Sequence, residues 1–168
     1  VSLVENFVDI TPEQMQRVFN INYFGSFFMQ QAVARHMLQR SREVGYKPGD
    51  RVVGRIINHS SISEHVGARL LSAYSPTKAA IMMLTKCTAL ELAERGSGVD
   101  ARGTGDVLTN SGGRYATGEA YEVHREATPM KRLGTQAEIA NVAVFLASGE
   151  ADYITGTTLI CDGGFTAQ

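Results

Sequence analysis

The stretch GRIINHSSISEHVGARLLSAYSPTK, residues 54–78, decides the fold. Its opening, Gly54 to Ser61, is a short run with adjacent isoleucines, Ile56 and Ile57, the length and β-branching of a buried strand that ends near Ser60. Helical spacing then runs from about Ala73 to Arg95. A strand followed by a helix is the repeating unit of a parallel sheet, and the chain on either side continues it.

Upstream, TPEQMQRVFNINYFGSFFMQQAVARHMLQR begins with a capping residue, Thr11, with Pro12 at the first helical position and Glu13 close behind. These signals predict one long helix from Thr11 to about Arg40. Residues 41–52 break the apolar period with Gly45, Pro48 and a cluster of charges, as a solvated loop does. Downstream, a short strand is expected from Val99 to Arg102, then a mobile Gly-rich loop with a helix across residues 104–128. TQAEIANVAVFLAS, from Thr135, predicts an amphipathic helix, and TGTTLICDGG a last strand stopped by Asp162, Gly163 and Gly164. Helix and strand alternate throughout, so an α/β domain with a parallel sheet and right-handed crossovers is expected across residues 1–168.

Composition narrows the function. With 168 residues, 43% of them hydrophobic, the chain can bury a core. A formal net charge of -1 with both signs scattered offers no basic face for a nucleic acid. No apolar run approaches the ~20 residues that span a bilayer, so a membrane is not an expected partner and a cytoplasmic protein is. Cys87 and Cys161 have no CxxC and no histidine at metal-ligand spacing, and read as buried thiols of a reducing compartment. His36, His65 and His124 share no helix face and form no ligand set.

Within Tyr74-Ser-Pro-Thr-Lys78, the tyrosine and lysine stand at i and i+4 on a helix, so their side chains share one face. Pro76 is tolerated because it lies in the first turn. A neighbouring ammonium favours a phenolate, which predicts that Lys78 draws the Tyr74 phenol down towards working pH. Taken alone, the pair reads more readily as surface decoration. Ser61, however, stands at the C-terminal end of the expected strand, the edge of a parallel sheet where ligands collect.

GRIINHSS, then Tyr74-Ser-Pro-Thr-Lys78, then ITGTTLICDGG resembles the short-chain dehydrogenase/reductase family in motif, order and spacing. FNINYFGSFF is similar to the family's helix bearing an active-site Asn, and RLGTQAEIANVAVFLAS to its last helix, so the resemblance covers the whole chain. It implies a Rossmann-like, doubly wound parallel sheet. It also implies an NAD(P)-dependent oxidoreductase that moves a hydride between nicotinamide and a secondary alcohol or ketone, with sugars or polyols as candidate substrates. By the same resemblance, Asn22 anchors a proton-relay water and Ser61 orients the substrate carbonyl. Tyr74 is the general acid/base, and Lys78 lowers its pKa and binds the nicotinamide ribose. Gly105-Asp-Val-Leu-Thr109 is similar to a family loop in which Val107 and Thr109 would contact the cofactor, NAD or NADP. Without the resemblance, Asn22 also reads as a satisfied mid-helix amide.

The chain departs from the family pattern at Thr104, where Pro is usual, at Asp100, where Asn is usual, and at Arg102, a cation in a strand expected to be buried. An unpaired buried Arg is costly, which suggests a frayed strand or a faulty local sequence. His59 replaces an apolar residue and reads as a strand histidine satisfied by a neighbour rather than as a catalytic group. No GxxxGxG or GxGxxG occurs, and the family's asparagine-rich strand motif is absent too. The glycine-motif half is therefore expected to lie outside this chain, which would start about halfway along its parent. Alone it would bind NAD(P) poorly and expose a raw sheet edge. A catalytically silent scaffold that keeps the family's oligomer surfaces is the alternative. Ala79-Ala-Ile-Met-Met-Leu84 leaves its helix apolar on every side, so a homodimer or homotetramer is expected.

Overall fold

The computed structural model describes residues 1–108 and 118–168. Thr109, one of the expected cofactor contacts, lies outside the described residues. Three parallel strands form one sheet in the order β1 (Gly54–Ser61), β2 (Ser97–Thr104), β3 (Thr158–Cys161). In register, Ile56 pairs with Val99 and Ser61 with Thr104, while Ala101 pairs with Thr158 and Thr104 with Cys161. The strand ends that carry Ser61, Thr104 and Cys161 therefore share one edge.

Helices cover both faces of this sheet. On one face lie α2 (Gly25–Glu43) and α3 (Tyr74–Leu92), which bury Ala34, Ala89 and Leu92 against Ile56 and Val99. A polar link runs through the same layer: Asn58 Nδ2 donates to Gln30 Oε1 at 2.7 Å and to Thr85 Oγ1 at 2.8 Å. On the other face α5 (Gln136–Ala147) contacts all three strands. Its start is set by a capping box in which Thr135 and Glu138 satisfy each other's backbone amides. With helices on both faces and strands all parallel, the architecture is Rossmann-like and doubly wound.

The long helix expected from Thr11 is broken. An α-helical segment, α1 (Pro12–Phe19), capped by Thr11, passes into a π turn at Asn20–Phe24 before α2 begins. The helix also runs on past Arg40 to Glu43. The extra residue of a π turn rotates the side chains that follow it, and it turns Asn22 inward, where it is buried.

β2 is not frayed. It spans eight residues, with Val99 and Ala101 fully buried and Asp100 at 2% exposure. Arg102 escapes the expected penalty because it is only partly buried and its guanidinium donates to the Ile139 carbonyl at 3.3 Å. Asp100 accepts from the Thr157 amide at 3.2 Å, and burial raises its carboxyl above the usual range. The cysteines also differ from expectation. Cys87 is exposed on α3 and Cys161 half-buried, because α3 turns Cys87 away from the sheet. Beyond β2, α4 (Glu119–Ala127) is the helix expected in the Gly-rich segment. His124 Nδ1 lies 2.6 Å from Asp106 Oδ2 and ties that helix to the loop before Val107.

Candidate active site

The site is assembled at the C-terminal end of β1 and the first turn of α3. β1 delivers Ser61 in extended conformation, and the chain then closes a 3-10 turn over Ile62–Glu64. The Ser63 amide donates to Ser61 Oγ at 3.2 Å, which fixes the hydroxyl at the strand end. Tyr74 opens α3, its amide bonded to the Leu71 carbonyl at 3.0 Å. Burial raises the Tyr74 phenol above its ordinary value, while the Ser61 hydroxyl, positioned to donate to the phenolate oxygen, acts in the opposite direction.

Lys78 follows one helical turn later. Its Nζ donates to the His59 carbonyl at 2.9 Å and stands 5.7 Å from the centre of the Tyr74 ring. The shared face read from the i,i+4 spacing is present. The expected direction of tuning is not. Burial dominates at Tyr74 and raises its phenol, while the Lys78 ammonium over the ring face is engaged by a backbone carbonyl. Burial also lowers the Lys78 ammonium, with Glu64 acting to raise it.

Asn22 reaches the same helix from below. Its Nδ2 donates to Thr77 Oγ1 at 3.1 Å and to the Val1 carbonyl at 2.8 Å. Thr77, fully buried, donates its hydroxyl hydrogen bond to the Tyr74 carbonyl at 2.7 Å. The Asn22 carbonyl accepts from Ser26 Oγ at 2.7 Å. Ser61, Tyr74 and Lys78 thus converge directly, and Asn22 joins them through Thr77.

Val107 stands apart from this group, in an isolated bridge with Gly134. That bridge uses the Leu108 amide, the Asp106 carbonyl and both peptide groups of Gly134. The amide and carbonyl of Val107 itself therefore point away from Gly134, as a parallel bridge requires.

His59 differs from its expected reading. Its ring has no hydrogen-bonded partner among the described residues and is partly open to solvent. Partial burial, then the Lys78 and Arg102 cations, push its pKa down to about 4, so it stays neutral. The sequence reading missed Glu64. It is an acid in the segment directly after the strand, a signal open to inspection, yet its side chain is fully buried. The Ser60 hydroxyl donates to its carboxylate.

Comparison with known proteins identifies the family of the chain. The protein-family model described as enoyl-(acyl carrier protein) reductase matches residues 2–166. A diacetyl reductase, (S)-acetoin forming, of Staphylococcus epidermidis is 31% identical over 98% of this chain and 64% of its own length. An L-rhamnose 1-dehydrogenase (NAD(P)(+)) of Sphingomonas is 35% identical over 94% of this chain and 59% of its own. The crystal structure of a gluconate 5-dehydrogenase from Burkholderia cenocepacia, in complex with NADP and tartrate, superposes with a TM-score of 0.89 at 28% identity. It is covered over 62% of its length by the whole of this chain. The chain thus spans about six-tenths of the curated relatives it matches. On the family match and the shared fold, it belongs to the short-chain dehydrogenase/reductase family.

Proposed function

We propose that this chain carries the proton-transfer machinery of an NAD(P)-dependent oxidoreductase acting on a secondary alcohol or ketone. The observation that carries the reading is the convergence of the Ser61 and Tyr74 hydroxyls at the sheet edge, with Lys78 over the tyrosine ring. Ser61 orients the substrate oxygen. Tyr74, kept as a neutral phenol by burial, gives its proton to that oxygen in reduction and takes it back in oxidation. Asn22 acts through Thr77, holding the first turn of α3 in place.

The residues present fit the nicotinamide end of a dinucleotide. Val107 offers a peptide amide and carbonyl unused by its bridge, suited to a carboxamide, and Lys78 and Tyr74 offer donors to a ribose. When bound, the cofactor supplies or accepts the hydride. Diacetyl, rhamnose and gluconate in the names of the relatives favour a small polar carbonyl or polyol substrate.

A homo-oligomer belongs to the same reading. Met83, 52% exposed, lines a groove of about 830 Å³ between α2 and α3 together with Tyr23, Phe27 and Leu84. Exposed Phe24 and Phe28 extend the apolar surface beside it. A second copy covering this face would make a dimer, and light scattering that finds a monomer at micromolar concentration removes this part.

The deciding experiment is Tyr74→Phe in the full-length protein. Turnover is expected to vanish while cofactor affinity and Tm stay near wild type, since only the transferable proton is removed. Normal kcat in the variant overturns the reading. A wild-type protein that oligomerises but turns over no alcohol or ketone would favour the scaffold alternative.

A further inference from the structure

One group in this region has no part in the chemistry above: the carboxylate of Glu64, directly beneath the first turn of α3. The side chain is 0% exposed, and the turn that carries it is packed closely on α3. One carboxylate oxygen accepts from the Ser60 hydroxyl. The other, Oε1, has no hydrogen-bond partner. His65 Nε2 lies 3.1 Å from it, but that ring is 45% exposed and belongs to the adjacent residue. A carboxylate taken wholly out of water and given a single neutral donor is poorly compensated, and a nearby cation stabilises its charge.

Lys78 is the cation that α3 brings under the influence of this carboxylate. Its Nζ is held by the carbonyl of His59, and the next residue, Ser60, holds Glu64. Two consecutive residues at the end of β1 thus grip the members of an opposite-charge pair. The other charged or titratable groups bearing on Lys78 offer it nothing negative. His59 on β1, which also feels the Arg102 cation of β2, is neutral, and Tyr74 on α3 is a half-buried phenol.

We propose that Glu64 is a positioning residue of the proton-transfer site, the buried counter-charge that keeps Lys78 an ammonium beside Tyr74. Burial alone would strip the proton from Lys78 at lower pH, and Glu64 is the group that opposes it. The 3-10 turn is the device that aims the carboxylate inward, since Ser61 Oγ accepts the Ser63 amide and closes the turn. Ser61 therefore ties the substrate-orienting hydroxyl and the counter-charge to one short segment. The consequence for turnover rests on the oxidoreductase reading; the pairing itself does not.

The test is the titration of Lys78, followed by NMR of isotope-labelled lysine side chains in the full-length protein, with Lys78→Met identifying its signal. Glu64→Gln keeps the shape and removes the charge. It is expected to lower the Lys78 midpoint while Lys47, Lys86 and Lys131 stay where they are, and Glu64→Asp is expected to restore part of the difference. A folded Glu64→Gln protein whose Lys78 midpoint equals wild type overturns the proposal. If Glu64→Gln is too unstable to titrate, the double variant Glu64→Gln/Lys78→Met decides. Recovery of Tm shows that the two charges are coupled, and no recovery overturns the pairing. Because the readout is a lysine and not turnover, a protein inactive on every alcohol would refute the catalytic reading and leave this result standing.

Discussion

Asn22 Nδ2 donates to Thr77 Oγ1 at 3.1 Å, joining the π turn before α2 to the helix that carries Tyr74 and Lys78. Thr77 in turn donates to the Tyr74 carbonyl, so one buried hydroxyl connects the two helices to the backbone of the proton donor.

Thr77→Val tests that connection with almost no change in volume. Asn22 loses a buried acceptor, and a destabilisation of about 1–3 kcal/mol is expected in urea unfolding. A fall in kcat larger than any rise in KM should accompany it, since the substrate pocket is untouched while Tyr74 loses an anchor. Wild-type stability would show that the link carries no weight.

Asn58 makes a comparable demand between sheet and helices. Its amide donates to both Gln30 and Thr85, and all three side chains are buried. Asn58→Ala strands the Gln30 carbonyl as well as opening a small void, and a loss of about 2–4 kcal/mol is expected. A cost below about 0.5 kcal/mol, typical of a surface substitution, would mean that the network is solvated.

The alternation of elements was legible because each carries its own period. β1 shows adjacent isoleucines, α5 an amphipathic run from Thr135, and α1 a Thr11–Pro12 start. What escaped is tertiary in origin. The π turn inserts one residue so that Asn22 can meet Thr77, and no local signal in NINYF distinguishes it from ordinary helix. Arg102 suggested a failed strand only because its exit to the Ile139 carbonyl depends on where α5 lies. Glu64 reads locally only as an acid after a strand, and it is the 3-10 turn that points it inward. The pairing of Tyr74 with Lys78 was visible from spacing. The sign of the phenol's shift was not, since it depends on burial.

Ser61→Ala should expose that sign. Burial raises the Tyr74 phenol and Ser61 opposes it, so removing the hydroxyl is expected to move the phenol higher still. Phenolate absorbance in the near ultraviolet, taken as a difference against Tyr74→Phe, reads this one tyrosine. A midpoint that stays or falls would show that Ser61 does not contact the phenol.

His59 gives the chain a pH dependence of stability that an apolar residue there would lack. Its ring titrates at about 4 in the folded protein against 6.5 for an unperturbed histidine, for reasons of partial burial and the neighbouring Lys78 and Arg102 cations. Between those values the unfolded chain binds the proton and the folded chain does not. Stability is therefore fully present above pH 6.5 and is lost as pH falls towards about 4. Because the ring is partly exposed, solvent screens the effect and the loss is modest. His59→Ile cannot take up a proton, and should leave the acid limb of the stability curve shallower across that window while matching the wild-type slope above it. Urea unfolding midpoints measured at a series of pH values check this. Parallel curves for the two proteins would place the His59 ring in open solvent, free of both cations.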